Sequence, residues 1–255
     1  MQRQTAAATY RIPPAWVAVI VVFPFVADAL ALVFLRLDAT HEAARWMLKE
    51  NRPVELLTFL FLATGAILGL TLARQARRQG EKPAVYLFYA TFAAGLAFVA
   101  GEEIAWGQQL LRFETPDAIM EVNRQGELTL HNIGELQGRS SYMRFIFGFG
   151  GLVGVSLAHR ETFRRIAPPT ILLSYFLVIT FFSTLGMYKD VTDDRRLYNA
   201  FSLRPLSELN EMLTGLSATL FIWLNSRTFQ QPWGLAPVNL GDDTTNTAPR
   251  RARPG

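Results

Sequence analysis

The chain has 255 residues, half of them hydrophobic, with 25 Lys+Arg against 21 Asp+Glu and no Cys. Its mean hydropathy is +0.17 and its charged fraction 18 %, against about 25 % for a typical soluble chain. With the apolar residues bunched into long runs, these values exclude a simple soluble globule, a disordered chain and a disulfide-stapled domain, and the absent Cys excludes thiolate chemistry and Cys-ligated zinc or iron–sulfur centres.

Crossing the hydrocarbon core of a bilayer takes roughly 20 mostly apolar residues. In chain order six segments qualify: 15–35, 54–73, 84–106, 142–158, 168–187 and 207–224. The fourth is short, and the sixth opens on a polar turn. The expected fold class is therefore all-α: a polytopic transmembrane helical bundle of about six spans over residues 1–228, with short interfacial helices in the long loop between spans three and four. Arg3, Arg11 and the small residues Ala27, Ala29 and Ala31 give a weak signal-peptide pattern. The apolar run continues through Leu35, past any such cleavage site, which favours a retained first helix. Residues 229–255, rich in Pro, Gly, Thr and Asn, read as a disordered cytoplasmic tail.

Six spans put both termini on one side. The short loops 74–83 and 159–167 on that side hold 7 basic residues in 19 positions, whereas loops 36–53, 107–141 and 188–206 hold 11 in 72. The positive-inside rule then places the termini in the cytoplasm. Sixteen of the 21 acids lie in or beside the three long loops of the opposite side, concentrating possible ligands and proton acceptors there. The pI near 9.6 is explained by basic loops beside anionic lipid headgroups; no nucleic-acid partner is expected.

Several ionisable residues fall inside spans or at their outer ends. Asp28 lies in span one, Glu55 opens span two, Glu102 and Glu103 close span three, Arg144 is one turn into span four, and Glu208 and Glu211 open span six. Charges at membrane depth are costly and usually face the bundle interior or a wet cavity. The economical arrangement is one polar pocket opening outward, with Arg144 paired to one or more carboxylates. A bundle can also carry such a pair only to fix helix register. Adjacent residues point about 100° apart on a helix, so only one of Glu102 and Glu103 faces the pocket centre. Trp106 reads as an interfacial anchor.

Beyond span three, Thr115-Pro116-Asp117 reads as N-cap, N1 proline and first-turn acid of a short helix, which Gly126 breaks. Glu127 and His131 are spaced i,i+4, placing carboxylate and imidazole on one helical face. Asn132 follows. Glu103, Glu127 and His131 could thus hold a divalent metal ion, or His131 could act as a general base oriented by Glu127. The plainer alternative is an interfacial helix with a satisfied His. Gln108, Asn132, Asp28, Glu102, Arg144, Glu208 and Glu211 complete the candidate binding set.

Other patterns fail. His41-Glu42-Ala43-Ala44-Arg45 lacks the second His of a zinc-protease motif. The Gly-rich run 147–154 lies within a span with no preceding strand. Gly150-x-x-x-Gly154 and Gly65-x-x-x-Gly69 read as close helix packing. Asp190, Asp193 and Asp194 lack EF-hand spacing.

Glu102-Glu103-Ile104-Ala105-Trp106-Gly107-Gln108, then Thr115-Pro116, then Asn123-x-Gln125-Gly126-Glu127-x-x-x-His131-Asn132, resembles the signature of an uncharacterised family of bacterial polytopic inner-membrane proteins that read EExxWGQ, TP, NxQxE and LHN in this order. Glu208-x-x-Glu211-Met212 resembles a second feature of that family. Ala105 departs from it, standing where many members have Ser. The resemblance spans about half the chain. It implies a multi-pass protein of the bacterial inner membrane and supplies no activity.

Three functions follow as expectations. The first is a sensor, scaffold or subunit of a membrane complex, with the bilayer and other membrane subunits or further copies of itself as partners. The second is a metal-dependent hydrolase or transferase acting on a lipid-linked substrate. The third, a small transporter, is weakest, because inverted repeats and interrupted half-helices are absent.

Overall fold

The computed structural model describes residues 2–49, 52–111, 129 and 140–229, and among these every regular element is helical. In chain order the helices are α1 (Gln2–Tyr10), α2 (Pro14–Arg36), α3 (Asp38–Met47), α4 (Pro53–Arg78), α5 (Pro83–Glu103), α6 (Gln108–Leu111), α7 (Ser140–Leu157), α8 (Leu173–Thr192), α9 (Arg196–Ala200) and α10 (Leu203–Phe229). Pro14, Pro53 and Pro83 open three of them. Proline suits the first helical position because its fixed φ is helical and its missing N–H would have no partner there. Pro24 sits inside α2 without ending it.

Among the described residues four segments are long and apolar enough to cross a membrane: Pro14–Arg36, Pro53–Arg78, Pro83–Glu103 and Thr170–Thr192. Their positions follow the expected first, second, third and fifth spans. Helix α2 turns Phe23, Phe25, Leu30, Val33 and Phe34 outward. A contiguous apolar surface of that kind marks contact with lipid or protein rather than water. Helices α7 and α10 do not reach the same mean hydropathy. Arg144 and four glycines dilute α7. Helix α10 has 27 residues, about 40 Å at 1.5 Å per residue, but it runs through the middle of the bundle. Leu206, Leu213, Ser217, Ala218, Ile222 and Leu224 on it are fully buried. A helix wrapped by other helices can carry Ser, Thr and Asn, which bond within the bundle.

Small residues set the packing. Gly65 of α4 faces Thr219 of α10 and Leu96 of α5, and Gly69 faces Ala93 and Ile222. Thr219 also donates its hydroxyl to the Phe61 carbonyl. These pairings run α10 parallel to α4 and α5 antiparallel to it, as expected of the Gly65/Gly69 pair. Helices α7 and α8 form a second antiparallel pair, with Gly148 against Ile179 and Thr180, Gly151 against Phe176, and Gly154 against Pro168. Gly150 faces open space, so of the expected Gly150/Gly154 pair only Gly154 packs closely, and the packed face is Gly148, Gly151 and Gly154. Helix α2 packs on α3, α8 and α10.

Three boundaries differ from expectation. Helix α4 continues through Arg78, so the basic residues Arg74, Arg77 and Arg78 are helical rather than in a loop. Helix α3 occupies most of the expected loop 36–53. Helix α5 stops at Glu103, three residues early.

One end of the bundle is basic and carries both ends of the described chain, where Arg227 reaches the Arg11 carbonyl at 3.5 Å. It is fastened by a polar clamp. Arg165 pairs with Glu81 at 2.8 Å and lies 4.5 Å from the Phe229 ring centroid. Asn225 donates to the Tyr89 hydroxyl at 2.9 Å and to the Ala167 carbonyl at 3.2 Å, and Tyr89 donates to the Arg165 carbonyl. Burial lowers the Arg165 pKa, and the neighbouring Glu81 carboxylate works against that shift.

Candidate functional site

The opposite end gathers acids from three helices around Glu103, with the Arg144 guanidinium among them. Glu103, half-buried at the last residue of α5, lies within electrostatic reach of Glu211, Glu55, Glu208 and Arg144. Glu55 stands in the first turn of α4, where the helix dipole favours an anion. Glu208 and Glu211 are spaced i,i+3 and share a face of α10. Arg144, 9 % exposed on α7, pairs through Nη1 with Glu211 and reaches the Ser141 hydroxyl through Nη2 at 3.4 Å.

Neither central charge is helped by its own helix. An anion at the C-terminus of α5 and a cation in the first turns of α7 both oppose the helix dipole. Each is held there by the other elements, so the cluster depends on packing rather than on local sequence.

Glu102 has a different job from Glu103. Its Oε1 accepts the Trp106 indole N–H at 2.7 Å. Ala105, Trp106 and Gly107 all have positive φ, at 44°, 54° and 86°. The chain therefore reverses sharply after α5 and lays the Trp106 ring back over it. A Cβ on Gly101 would come within 2.9 Å of that ring, and Phe98 meets it edge-on with centroids 5.6 Å apart. The Gly101-Glu102…Trp106-Gly107 spacing is thus a helix-stop device: space for the ring, an acceptor for the indole, and a glycine for the left-handed turn. Trp106 remains 46 % exposed, which suits the interfacial position expected of it. Gln108 follows, half-buried at the start of α6.

Asp28 stands apart from this group. It is 5 % exposed, and neither carboxylate oxygen has a hydrogen-bond partner among the described residues. Helix α2 packs on α8, α10 and α3, whereas the cluster is built from α4, α5, α7 and α10. The single pocket expected to include Asp28 is corrected to a cluster without it. Its place along α2 was legible in the sequence, but its direction around the helix axis was not.

Glu127, His131 and Asn132, with the Thr115-Pro116-Asp117 helix start, lie outside the described residues, as does 230–255 of the tail. The metal set Glu103, Glu127 and His131 is therefore represented only by Glu103. Among the described residues no three His, Asp or Glu side chains are placed to share a metal ion. Sequence reasoning missed the hydroxyl groups beside Arg144. Ser141, Ser183 and Asn210 lie near it around a cavity, and no motif marked them because isolated serines in apolar helices are common.

No family model matches the chain, and no curated protein and no solved structure matches it.

Proposed function

We propose that the chain is a six-span protein of the bacterial inner membrane with cytoplasmic termini, and that its acidic end is an outward-opening recognition pocket through which it serves as a sensor, scaffold or subunit of a larger membrane complex. Helices α7 and α10 supply the fourth and sixth spans in this reading. The proximity of Arg227 to Arg11 supports an even number of crossings, and the basic residues of that end support its cytoplasmic side. The family signature around Glu102, Glu103 and Trp106 supports the bacterial location.

The observation that carries the reading is the setting of Glu103. Its half-buried carboxylate lies within electrostatic reach of three others, Glu55, Glu208 and Glu211, and of the Arg144 guanidinium. Like charges gathered away from bulk water are costly, so the pocket is complementary to a cationic group. The described acids do not converge on one ion-sized point. An ammonium or guanidinium group, with its charge spread over a larger volume, suits the cluster better than a bare metal ion. In a membrane such a group arrives on a Lys or Arg of another subunit.

The test is purification of tagged wild type and Glu103→Gln from their native membranes in mild detergent. The wild type should hold a stoichiometric membrane partner, and Glu103→Gln should lose it while inserting equally. A wild type that purifies alone, or a variant that keeps its partner, contradicts the reading. Elemental analysis of the same preparation is the discriminating arm. A stoichiometric divalent ion lost in His131→Ala would move the reading to a metal-dependent hydrolase or transferase acting on a lipid-linked substrate.

A further inference from the structure

Arg144 also borders a cavity of about 150 Å³ between α7, α8 and α10, closed by Tyr198 of α9. Ser141, Ser183, Lys189, Ser207 and Asn210 line it. Ser183 and Asn210 are each 2 % exposed. Ser183 Oγ and Asn210 Oδ1 have no hydrogen-bond partner among the described residues. Buried polar atoms are ordinarily satisfied, and an unsatisfied one calls for an explanation. The Asn210 amide nitrogen is already committed, donating to the Leu206 carbonyl at 3.1 Å, so its Oδ1 calls for a donor from the cavity.

The remaining walls supply donors. Lys189 gives one N–H to Asp190 at 2.7 Å and sits 4.8 Å from the Tyr198 ring centroid. An ammonium has three N–H groups and a guanidinium five, so both Lys189 and Arg144 keep donors beyond their carboxylate partners. A second opening of about 250 Å³ adjoins the first, sharing Tyr198 and Leu203, and it is lined by His41, Arg45 and Arg204. Among the described residues neither opening is lined by an Asp or Glu, although this end carries most of the described acids. A basic opening thus adjoins a hydroxyl-lined chamber that holds Arg144, Lys189 and the unmet Asn210 Oδ1.

We propose that these adjoining openings form one binding site for a phosphate ester that also bears a hydroxyl group. The phosphate oxygens are drawn to Arg144, Lys189 and the serine hydroxyls, since charge-assisted bonds to phosphate are the strong ones. The ligand's hydroxyl donates to Asn210 Oδ1. The chamber has room for a phosphate with a small polyol and none for an acyl chain. A lipid would therefore insert only its headgroup and leave its tails among the exposed apolar residues of the bundle. Free glycerol phosphate and a phosphatidylglycerol headgroup present the same chemistry.

The full chain is purified in neutral detergent as wild type, Lys189→Gln, Asn210→Leu, Ser183→Ala and Arg74→Gln. Binding of glycerol phosphate is measured by titration calorimetry, and retention of added phosphatidylglycerol against phosphatidylcholine by native mass spectrometry. The wild type should bind one probe or both. Titration with glycerol phosphate identifies a free ester, and retention of phosphatidylglycerol alone identifies a lipid. Lys189→Gln and Asn210→Leu should weaken binding at least tenfold, and Ser183→Ala, the variant least able to disturb folding, should weaken it several-fold. Arg74→Gln, an exposed residue of the basic end that lines neither opening, should bind as wild type. Binding of neither probe by wild type, or unaltered binding in a folded Ser183→Ala together with Lys189→Gln, overturns the proposal.

Discussion

Arg144 is the residue on which the acidic end turns. It is almost wholly buried, it pairs with Glu211, and it is the cation within reach of Glu103. Breaking a buried pair by removing one partner leaves the other charge uncompensated and costs about 3–5 kcal/mol. Arg144→Leu should therefore lower thermal stability in detergent sharply, while Arg144→Lys, which keeps charge but loses the planar fork, should lose part of it. A Leu variant as stable as wild type would mean that Glu211 finds other solvation. The turn after α5 offers a second test. Trp106→Phe keeps the ring over Gly101 but removes the N–H given to Glu102, a loss of about 1 kcal/mol. Gly101→Ala pushes a methyl into the ring at 2.9 Å and should cost about 1–3 kcal/mol through overpacking. Chemical denaturation followed by the helical circular dichroism reads both.

Among the helices, the two glycine faces make opposite predictions for the same substitution. Gly148→Ala places a Cβ within 2.6 Å of the Thr180 hydroxyl and 3.0 Å of its backbone nitrogen, and should separate α7 from α8 at a cost of about 1–3 kcal/mol. Gly150→Ala meets nothing within 4 Å and should gain roughly 0.5–1 kcal/mol from helix propensity. Melting temperatures of the two variants compare them directly. The contrast also shows what the sequence could and could not tell. A Gly-x-x-x-Gly spacing at 150 and 154 states that two small residues share a face, but not that another helix comes to that face. Spans resting on continuous apolar runs, as in α2, α4 and α5, were legible to within a few residues at their starts. Helix α10 was cut short at both ends because Arg204, Ser207 and Glu208 at one end and Asn225, Ser226 and Arg227 at the other find protein or polar surroundings instead of lipid. Helix α3 was not legible because its 10 residues are too short and polar for a span. The cluster was half legible. Glu55, Glu103, Arg144, Glu208 and Glu211 share a height that counting along each span gives. Asp28 shares that height but faces another way, and direction depends on packing partners that no single helix encodes.

For the molecule as a whole, the decisive property is the polarity of the bundle: a basic end fastened by the Arg165–Glu81 and Tyr89–Asn225 clamp, and an opposite end that holds the acids and the polar chamber. The chain contains no Cys, so single cysteines can be introduced with no native thiol to remove first. Glu161→Cys marks the basic end, and Asp194→Cys, next to the C-terminus of α8, marks the acidic end; Glu161 is exposed and Asp194 partly exposed. Intact cells carrying each variant are treated with a membrane-impermeant maleimide, before and after permeabilisation. An outward-facing acidic pocket predicts that Asp194→Cys is labelled in intact cells and that Glu161→Cys is labelled only after permeabilisation. The reverse pattern, or labelling of both positions from the same side, would contradict it.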